Sequence, residues 1–443
     1  MNKKIIFPAK GLSSEQLLIE VNHLKENDVK WESGKLYGFV YHPGDEVAEV
    51  IAKVFHKFSH DNTISPVTFA SLRKFEVEIV AMAADLLHGN QDVVGNVTSG
   101  GTESILMAVK TARDINREKH PEIKTPELII SNSAHPAFLK ACHYLDVKPV
   151  IVPVREDKRA DINRIEEATN SNTILIGCSA PTYPHGVIDP IEEIGKLAIK
   201  KNILLHVDAC MGGFVLPFMN ELGYPTPDFD FRIPGVTSIS LDAHKYGYGP
   251  KGTSIILYRN KDLRKKQFYI YPDWPGGVFA SPALSGTRGG GALAGTWAVM
   301  RLLGWEGYKK IVKSVIEESR KIINGISKIP GLDIISNPDM SVFSFTSNDA
   351  DIFNIGDVME EKGWYLNRQQ FPNSLHMTIS NGNVGKADEF LTDLENTLKN
   401  RKHLRKEMKS SSFKVSVVKR LSKLLPPKFF EKIISESTAK SIS

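Results

Sequence analysis

Cysteine is scarce in this chain: 443 residues hold three, Cys142, Cys178 and Cys210. They are odd in number, far apart and form no C-x-x-C pair, which excludes a disulfide scaffold. Small buried thiols in a reducing, cytoplasmic compartment are the expectation. Long apolar runs are missing as well. None approaches the ~20 residues a membrane helix needs. The opening MNKKIIFPAKG is basic, but its apolar stretch is too short for a signal peptide. The body has no internal repeat and no low-complexity tract. At 41% hydrophobic and 24% charged residues, whole-chain disorder is excluded too.

The body also lacks a positive balance. Residues 401–443 carry twelve Lys or Arg against three Glu, a net of +9, so residues 1–400 come to −4 within a whole-chain +5. A nucleic-acid role for the body loses its main support. The tail, SFKVSVVKRLSKLLPPKFFEKIISES, alternates basic with apolar residues and is broken at Pro426-Pro427. It reads either as an interfacial segment or as a disordered basic end.

The pattern along the chain divides it. Residues 1–60 read as helical and extended, with a Ser-capped helix in SSEQLLIEVNHLKEND and another in EVAEVIAKVFHKFS. Residues 61–305 read as a large α/β domain. ELIISN, KPVIVPV, TILIGC, ILLHVDA, VTSISLDA and TSIILYR are short, β-branched and apolar, the signature of strands buried on both faces. Amphipathic helices such as TESILMAVKTARDIN alternate with them, which predicts a mostly parallel sheet. Residues 306–400 read as a smaller α+β domain, and 401–443 as the basic tail. KLYGFVY and the GTRGGG turn have no evident role within a domain.

Four elements carry chemistry. In SISLDAHKYGYGPKG, Lys245 follows a buried-type strand, where a lysine of depressed pKa can form a Schiff base. In ILLHVDACMGG, Asp208 ends a strand at the edge where α/β sheets bind ligands. It reads either as a helix cap or as the partner of a buried cation. In NVTSGGTESI, Gly100, Gly101 and Thr102 open a helix, an anion site by its free N–H groups and dipole. In SAHPAF, His135 follows a strand and can stack on a flat ring. Together they ask for a flat, anionic, amine-reactive ligand: pyridoxal 5′-phosphate (PLP), whose ring acts as an electron sink.

TSGGTESI, SAHPAF, HVDACMGGF, FDFRIPGVTSISLDAHKYGYGPKG and FASPALSGTRGGG resemble the sphingosine-1-phosphate lyases, of the group II PLP-dependent decarboxylase superfamily. The resemblance spans about Tyr37 to Asn400. It implies PLP fold type I, the aspartate-aminotransferase-like α/β architecture, with a seven-stranded sheet and a smaller C-terminal domain. It implies Lys245 as the Schiff-base lysine, Asp208 on the pyridine nitrogen and His135 on the ring. Gly101, Thr102 and His244 would contact the cofactor phosphate, and Lys251 the substrate phosphate. Tyr41 would stand near the reacting atoms. Gly286 and Thr287 would approach the cofactor of a neighbouring subunit in a homodimer. The implied reaction is retro-aldol cleavage of a phosphorylated sphingoid base. Lys245, Lys251, Tyr41 and the substrate phosphate are all open as the base.

The chain departs from the family pattern at Ser65, Val67 and Tyr37, where histidine, aspartate and serine are usual; all three are expected around the substrate entrance. The membrane helix of eukaryotic members is missing, which points to a soluble, bacterial-type form. Two rival readings stand beside this one. An L-amino-acid decarboxylase of the same superfamily would release carbon dioxide instead of an aldehyde. A silent, membrane-associated binding protein would lack the cofactor's visible absorbance.

Overall fold

The computed structural model describes residues 5–64 and 67–399. Ser65 and the basic tail, with its two readings, therefore lie outside the described residues. A seven-stranded sheet forms the centre: β1 (Val94–Thr98), β2 (Glu127–Ser131), β3 (Lys148–Val152), β4 (Thr173–Ser179), β5 (Leu204–Asp208), β6 (Ser238–Leu241) and β7 (Ser254–Tyr258). Their order is β1-β7-β6-β5-β4-β2-β3. Strands β2 to β6 pair in parallel, and β7 runs antiparallel to both its neighbours. The reason lies in the β6–β7 link: a parallel return needs a long crossover, usually a helix, and this link is a turn built around Lys245. Every residue of β2, β4, β6 and β7 is buried, as their apolar sequences require.

Two strand readings need correction. KPVIVPV looks like a strand buried on both faces, yet β3 is the sheet edge and mostly exposed, with Ile151 at 52%. No described strand pairs beyond it, and its outer side is exposed. β1 has no apolar run to announce it; VGNVT becomes a strand because β7 offers it a five-residue antiparallel register.

An exposed two-stranded hairpin follows, β8 (Tyr269–Tyr271) and β9 (Phe279–Ser281). The helix Gly290–Ile326 then leads away from the large sheet. It bends at Gly304 (φ 54°), a left-handed conformation that glycine adopts without penalty. The smaller sheet is antiparallel: β10 (Leu332–Ile334), β11 (Val342–Ser347), β12 (Asn367–Gln369) and β13 (Ser374–Thr378), in the order β10-β11-β13-β12. Among the described residues no helix is long and apolar enough to cross a membrane.

The N-terminal helix Ser14–Lys25 starts at the expected Ser13 cap, in a reciprocal box with Gln16. KLYGFVY has a role within the chain after all. Tyr37 N–H donates to Tyr365 O (3.1 Å), and Tyr365 N–H donates to Lys35 O (3.0 Å). Tyr37 is not at a substrate entrance. It is fully buried, stacked on Trp364 (centroids 5.9 Å) with Phe390 edge-on (5.6 Å). An aromatic ring packs where a serine would leave a hole. GTRGGG is likewise tied down: both guanidinium ends of Arg288 reach the carboxylate of Glu76 (3.0 and 3.1 Å), and Nη1 donates to Val97 O (2.6 Å).

Candidate active site

Five links leave the sheet at the carboxyl ends of β1, β2, β4, β5 and β6. They surround a cavity of about 530 Å³, within the usual range for small-molecule sites. Gly100, Gly101, Thr102, His135, Asp208, His244, Lys245, Lys251 and Tyr41 all line it. Residues spread over two hundred positions meet there because parallel strands deliver their C-termini to one edge.

The helix Gly101–Lys119 begins without any side-chain cap, so its first N–H groups face the cavity unclaimed. Glu103 shapes this start. Its Oε2 accepts from the Ser99 N–H and hydroxyl (2.6 Å each), and its Oε1 from the Leu284 N–H (2.6 Å). A side chain on Gly100 would point at His244 Cε1, 3.5 Å away, and narrow the gap between helix start and imidazole. At Gly101 even a methyl would meet Cys210 Sγ at 2.7 Å and the Asp242 carboxylate at 2.9 and 3.0 Å. The backbone is thus packed as closely as glycine allows.

Asp208 is buried, and its Oδ1 accepts from the Cys210 N–H (3.0 Å). Behind it on β5, His206 bridges Ser238 (2.9 Å) and Ser240 (3.2 Å). Burial pulls this imidazole down to about 4, against the pull of Asp208, so it is neutral. His135 stands at the exposed mouth, its Nδ1 accepting from the Ala137 N–H (3.1 Å). That bond leaves the Nε2 side free to carry the proton.

Lys245 does not meet the condition of a depressed pKa, because its Nζ lies 2.8 Å from Asp242 Oδ2. Burial opposes the charge, yet Asp242, with help from Cys210 and Asp208, pushes the amine above its ordinary value. Asp242 escaped the sequence reading, although it stands three residues before the lysine in LDAHK. His244 Nε2 is 3.8 Å from the same carboxylate oxygen, and its Nδ1 accepts from the Thr253 N–H (3.2 Å). Burial holds this imidazole below its usual range.

Lys251 keeps some solvent contact. Its Nζ donates to Phe39 O (2.8 Å) and His244 O (3.2 Å) and lies 5.0 Å over the Tyr41 ring. Burial, then the charge of Lys245, lowers its pKa. Phe39 holds a left-handed backbone (φ 62°), unusual for a bulky residue, and that aims its carbonyl at Lys251. Tyr41 packs edge-on against Tyr246 (5.1 Å), and burial raises its pKa well above the ordinary phenol value.

Tyr183 and Thr378 also line the cavity, and no local signal marks them. Tyr183 OH accepts from Asn367 Nδ2 (3.4 Å). Thr378, on β13, is buried, and its hydroxyl has no hydrogen-bond partner among the described residues. Thr287 is not brought to this cavity. It lines a separate recess of about 180 Å³ with Thr63, Ser99 and Arg288. A side chain on Gly286 would meet no described residue within 4 Å. The three cysteines are free and buried, as expected.

An uncapped helix start fits a phosphate, a strand-end carboxylate fits a ring cation, and a buried amine fits an aldehyde. The fold and this edge of the sheet define a PLP-dependent enzyme of the aspartate-aminotransferase-like architecture.

Similarity to known proteins narrows the class. Residues 10–348 match the pyridoxal-dependent decarboxylase conserved domain. The sphingosine-1-phosphate lyase of Oryza sativa subsp. japonica is 48% identical over 400 residues, covering 88% of this chain and 74% of the relative. That of Rattus norvegicus is 44% identical over 394 residues, covering 88% and 69%. The solved structure of a Burkholderia pseudomallei sphingosine-1-phosphate lyase superposes with a TM-score of 0.87 at 37% identity, covering 94% of this chain and 97% of that one. The chain belongs to the pyridoxal-dependent decarboxylase family and, within it, to the sphingosine-1-phosphate lyases. Its cofactor is pyridoxal 5′-phosphate.

Proposed function

We propose that this enzyme cleaves the C2–C3 bond of sphingosine 1-phosphate or a similar phosphorylated sphingoid base, releasing a long-chain aldehyde and phosphoethanolamine. One observation carries the substrate reading: a second amine, Lys251, faces the cavity that holds Lys245. An amino-acid decarboxylase has one substrate carboxylate to meet at the reacting carbon. A phosphate ester brings a further anion, and Lys251 is suited to it.

In this reading the helix start at Gly101 and Thr102, with His244, holds the cofactor phosphate. Asp208 holds the ring nitrogen protonated, His135 covers the ring, and Lys245 carries the covalent link. The cofactor supplies the electron sink. The base follows by elimination. Tyr41 keeps its proton because burial raises its pKa. Lys245 keeps its own because Asp242 raises it. Lys251 regains its full charge opposite an anion. The remaining group is the substrate phosphate, whose second ionisation lies near ~6. It takes the C3 hydroxyl proton, and Lys251 anchors it. Tyr41 acts as a hydrogen-bond donor.

A homodimer with shared sites accompanies this reading. The exposed Tyr269, Ile270 and Trp274 of the β8–β9 hairpin favour a partner surface, and Thr287 would act across it. Sedimentation of a fully active monomer would count against it. Peripheral membrane contact by residues 401–443 is proposed on their charge and interleaved apolar residues; deletion of 404–443 should weaken binding to anionic vesicles at low salt. The central test is incubation of the purified protein with sphingosine 1-phosphate and mass spectrometry for hexadecenal. Carbon dioxide from an amino acid, with no aldehyde, would favour the decarboxylase instead.

A further inference from the structure

Asp242 is 2% exposed and sits at the turn after β6, beneath the start of the Gly101–Lys119 helix. Its Oδ2 pairs with Lys245 Nζ at 2.8 Å. Burial of a carboxylate is costly, yet Lys245, then His244 and Ser254, hold this carboxyl below its ordinary value and keep it ionised. The helix start at Gly101 lies so near that an added methyl there would meet Oδ1 at 2.9 Å. Sequence adds a constraint: in LDAHK the acid and the amine lie three residues apart on one turn, so they move together.

We propose that Asp242 is a positioning residue that keeps the Lys245 amine protonated and aimed into the cavity, so that Lys245 serves as the proton donor of the reaction. This rests on the lyase reading above. When the C2–C3 bond breaks, C3 leaves as the aldehyde and the bonding electron pair remains with C2. The C3 hydroxyl proton has gone to the phosphate held by Lys251. C2 then needs one proton, and an N–H bond of Lys245 breaks to provide it. The proton on the phosphate returns to Lys245 Nζ, which restores the charge beside Asp242. One proton leaves oxygen, one reaches carbon, and no oxidant or reductant is required.

Other groups face this pair. His244 and Lys245 act on Asp242, while Asp208 and Cys210 act on Lys245 together with it; Lys251, Tyr183 and Tyr246 also feel the Lys245 charge. Among them Asp242 alone makes an ion pair with Nζ within 4 Å among the described residues.

The test uses the holoenzyme and two readouts. The first is the pH titration of the visible band of the lysine-bound cofactor, which reports protonation at the Lys245 nitrogen and needs no turnover. Asp242→Asn should lower its midpoint by about one unit or more, the effect of losing an opposite charge at this distance. The second is steady-state kinetics: kcat should fall about a hundredfold, the scale of a lost acid–base contribution, with KM nearly unchanged. Asp242→Glu, which keeps the charge, should recover most of both. An Asn variant with an unmoved midpoint overturns the proposal. If the Asn variant loses the cofactor, the Glu variant decides: recovery of the band at the wild-type midpoint supports the proposal, and no recovery overturns it. If the wild type releases no aldehyde, the lyase reading fails, while the midpoint shift still judges Asp242.

Discussion

Gly101→Ala adds one methyl group at the start of the helix expected to meet the cofactor phosphate. The methyl would lie 2.7 Å from Cys210 Sγ and 2.9 and 3.0 Å from the two Asp242 oxygens. Ordinary contacts between such atoms are ~3.5–4.0 Å, so something must move by about 1 Å. Asp242 cannot recede without stretching its 2.8 Å pair with Lys245, and Cys210 Sγ is held 3.4 Å from Ser240 Oγ. The helix start itself must shift, and with it the N–H groups that face the cavity. Overpacking of this kind costs about 1–3 kcal/mol. Alanine's better helix propensity offsets at most ~1 kcal/mol of that, and it acts on folding, not on the cavity. At ~1.4 kcal/mol per tenfold, cofactor affinity should fall about 5- to 140-fold. Equilibrium titration with pyridoxal 5′-phosphate, followed by tryptophan fluorescence, measures it. The double variant Gly101→Ala/Cys210→Ala removes the nearest obstacle and should recover part of the loss. An affinity equal to wild type in Gly101→Ala would refute the claim that this helix start is packed to its limit.

Three further outcomes are expected. Lys245→Ala should lose the visible cofactor band and the activity, and borohydride trapping on any other lysine would contradict the assignment. Asp208→Asn keeps shape but gives up the charge, so turnover should drop by orders of magnitude with cofactor still bound; a near-normal rate removes its ring-nitrogen role. Arg288→Met leaves the Glu76 carboxylate, which burial would raise but Arg288 holds below the usual range, without its counter-charge. Stability should fall by about 3 kcal/mol at neutral pH. Because the folded carboxyl is depressed, the contribution is present above the unfolded value of ~4.3 and is lost as pH falls through the folded one. The gap between variant and wild type should therefore close in acid, and urea unfolding at two pH values checks it.

Local features were legible in the order of residues alone. Helix caps, apolar runs and glycine turns are properties of a few neighbouring residues, so the Ser13 cap, the buried strands and the Gly-Thr helix start were legible from order alone. Lys245, Asp208 and His135 could be read because each follows a strand, and parallel strands share one functional edge. Burial and long-range partnership follow from packing, which no short stretch of residues encodes. KPVIVPV looks like a central strand, but its place at the edge depends on which strands find partners. Tyr37 was expected near the substrate entrance, but Trp364 and Phe390, brought from the far end of the chain, enclose it. Thr378 joined the cavity without a motif, since only packing of the small sheet against the large one aims it there, while Tyr183 stands just past the carboxyl end of β4. The state of Lys245 turned on a distance: 2.8 Å to Asp242 outweighs burial and reverses the shift expected of a buried amine. Charge energies depend on separation and surroundings, and both exist only once the chain has folded.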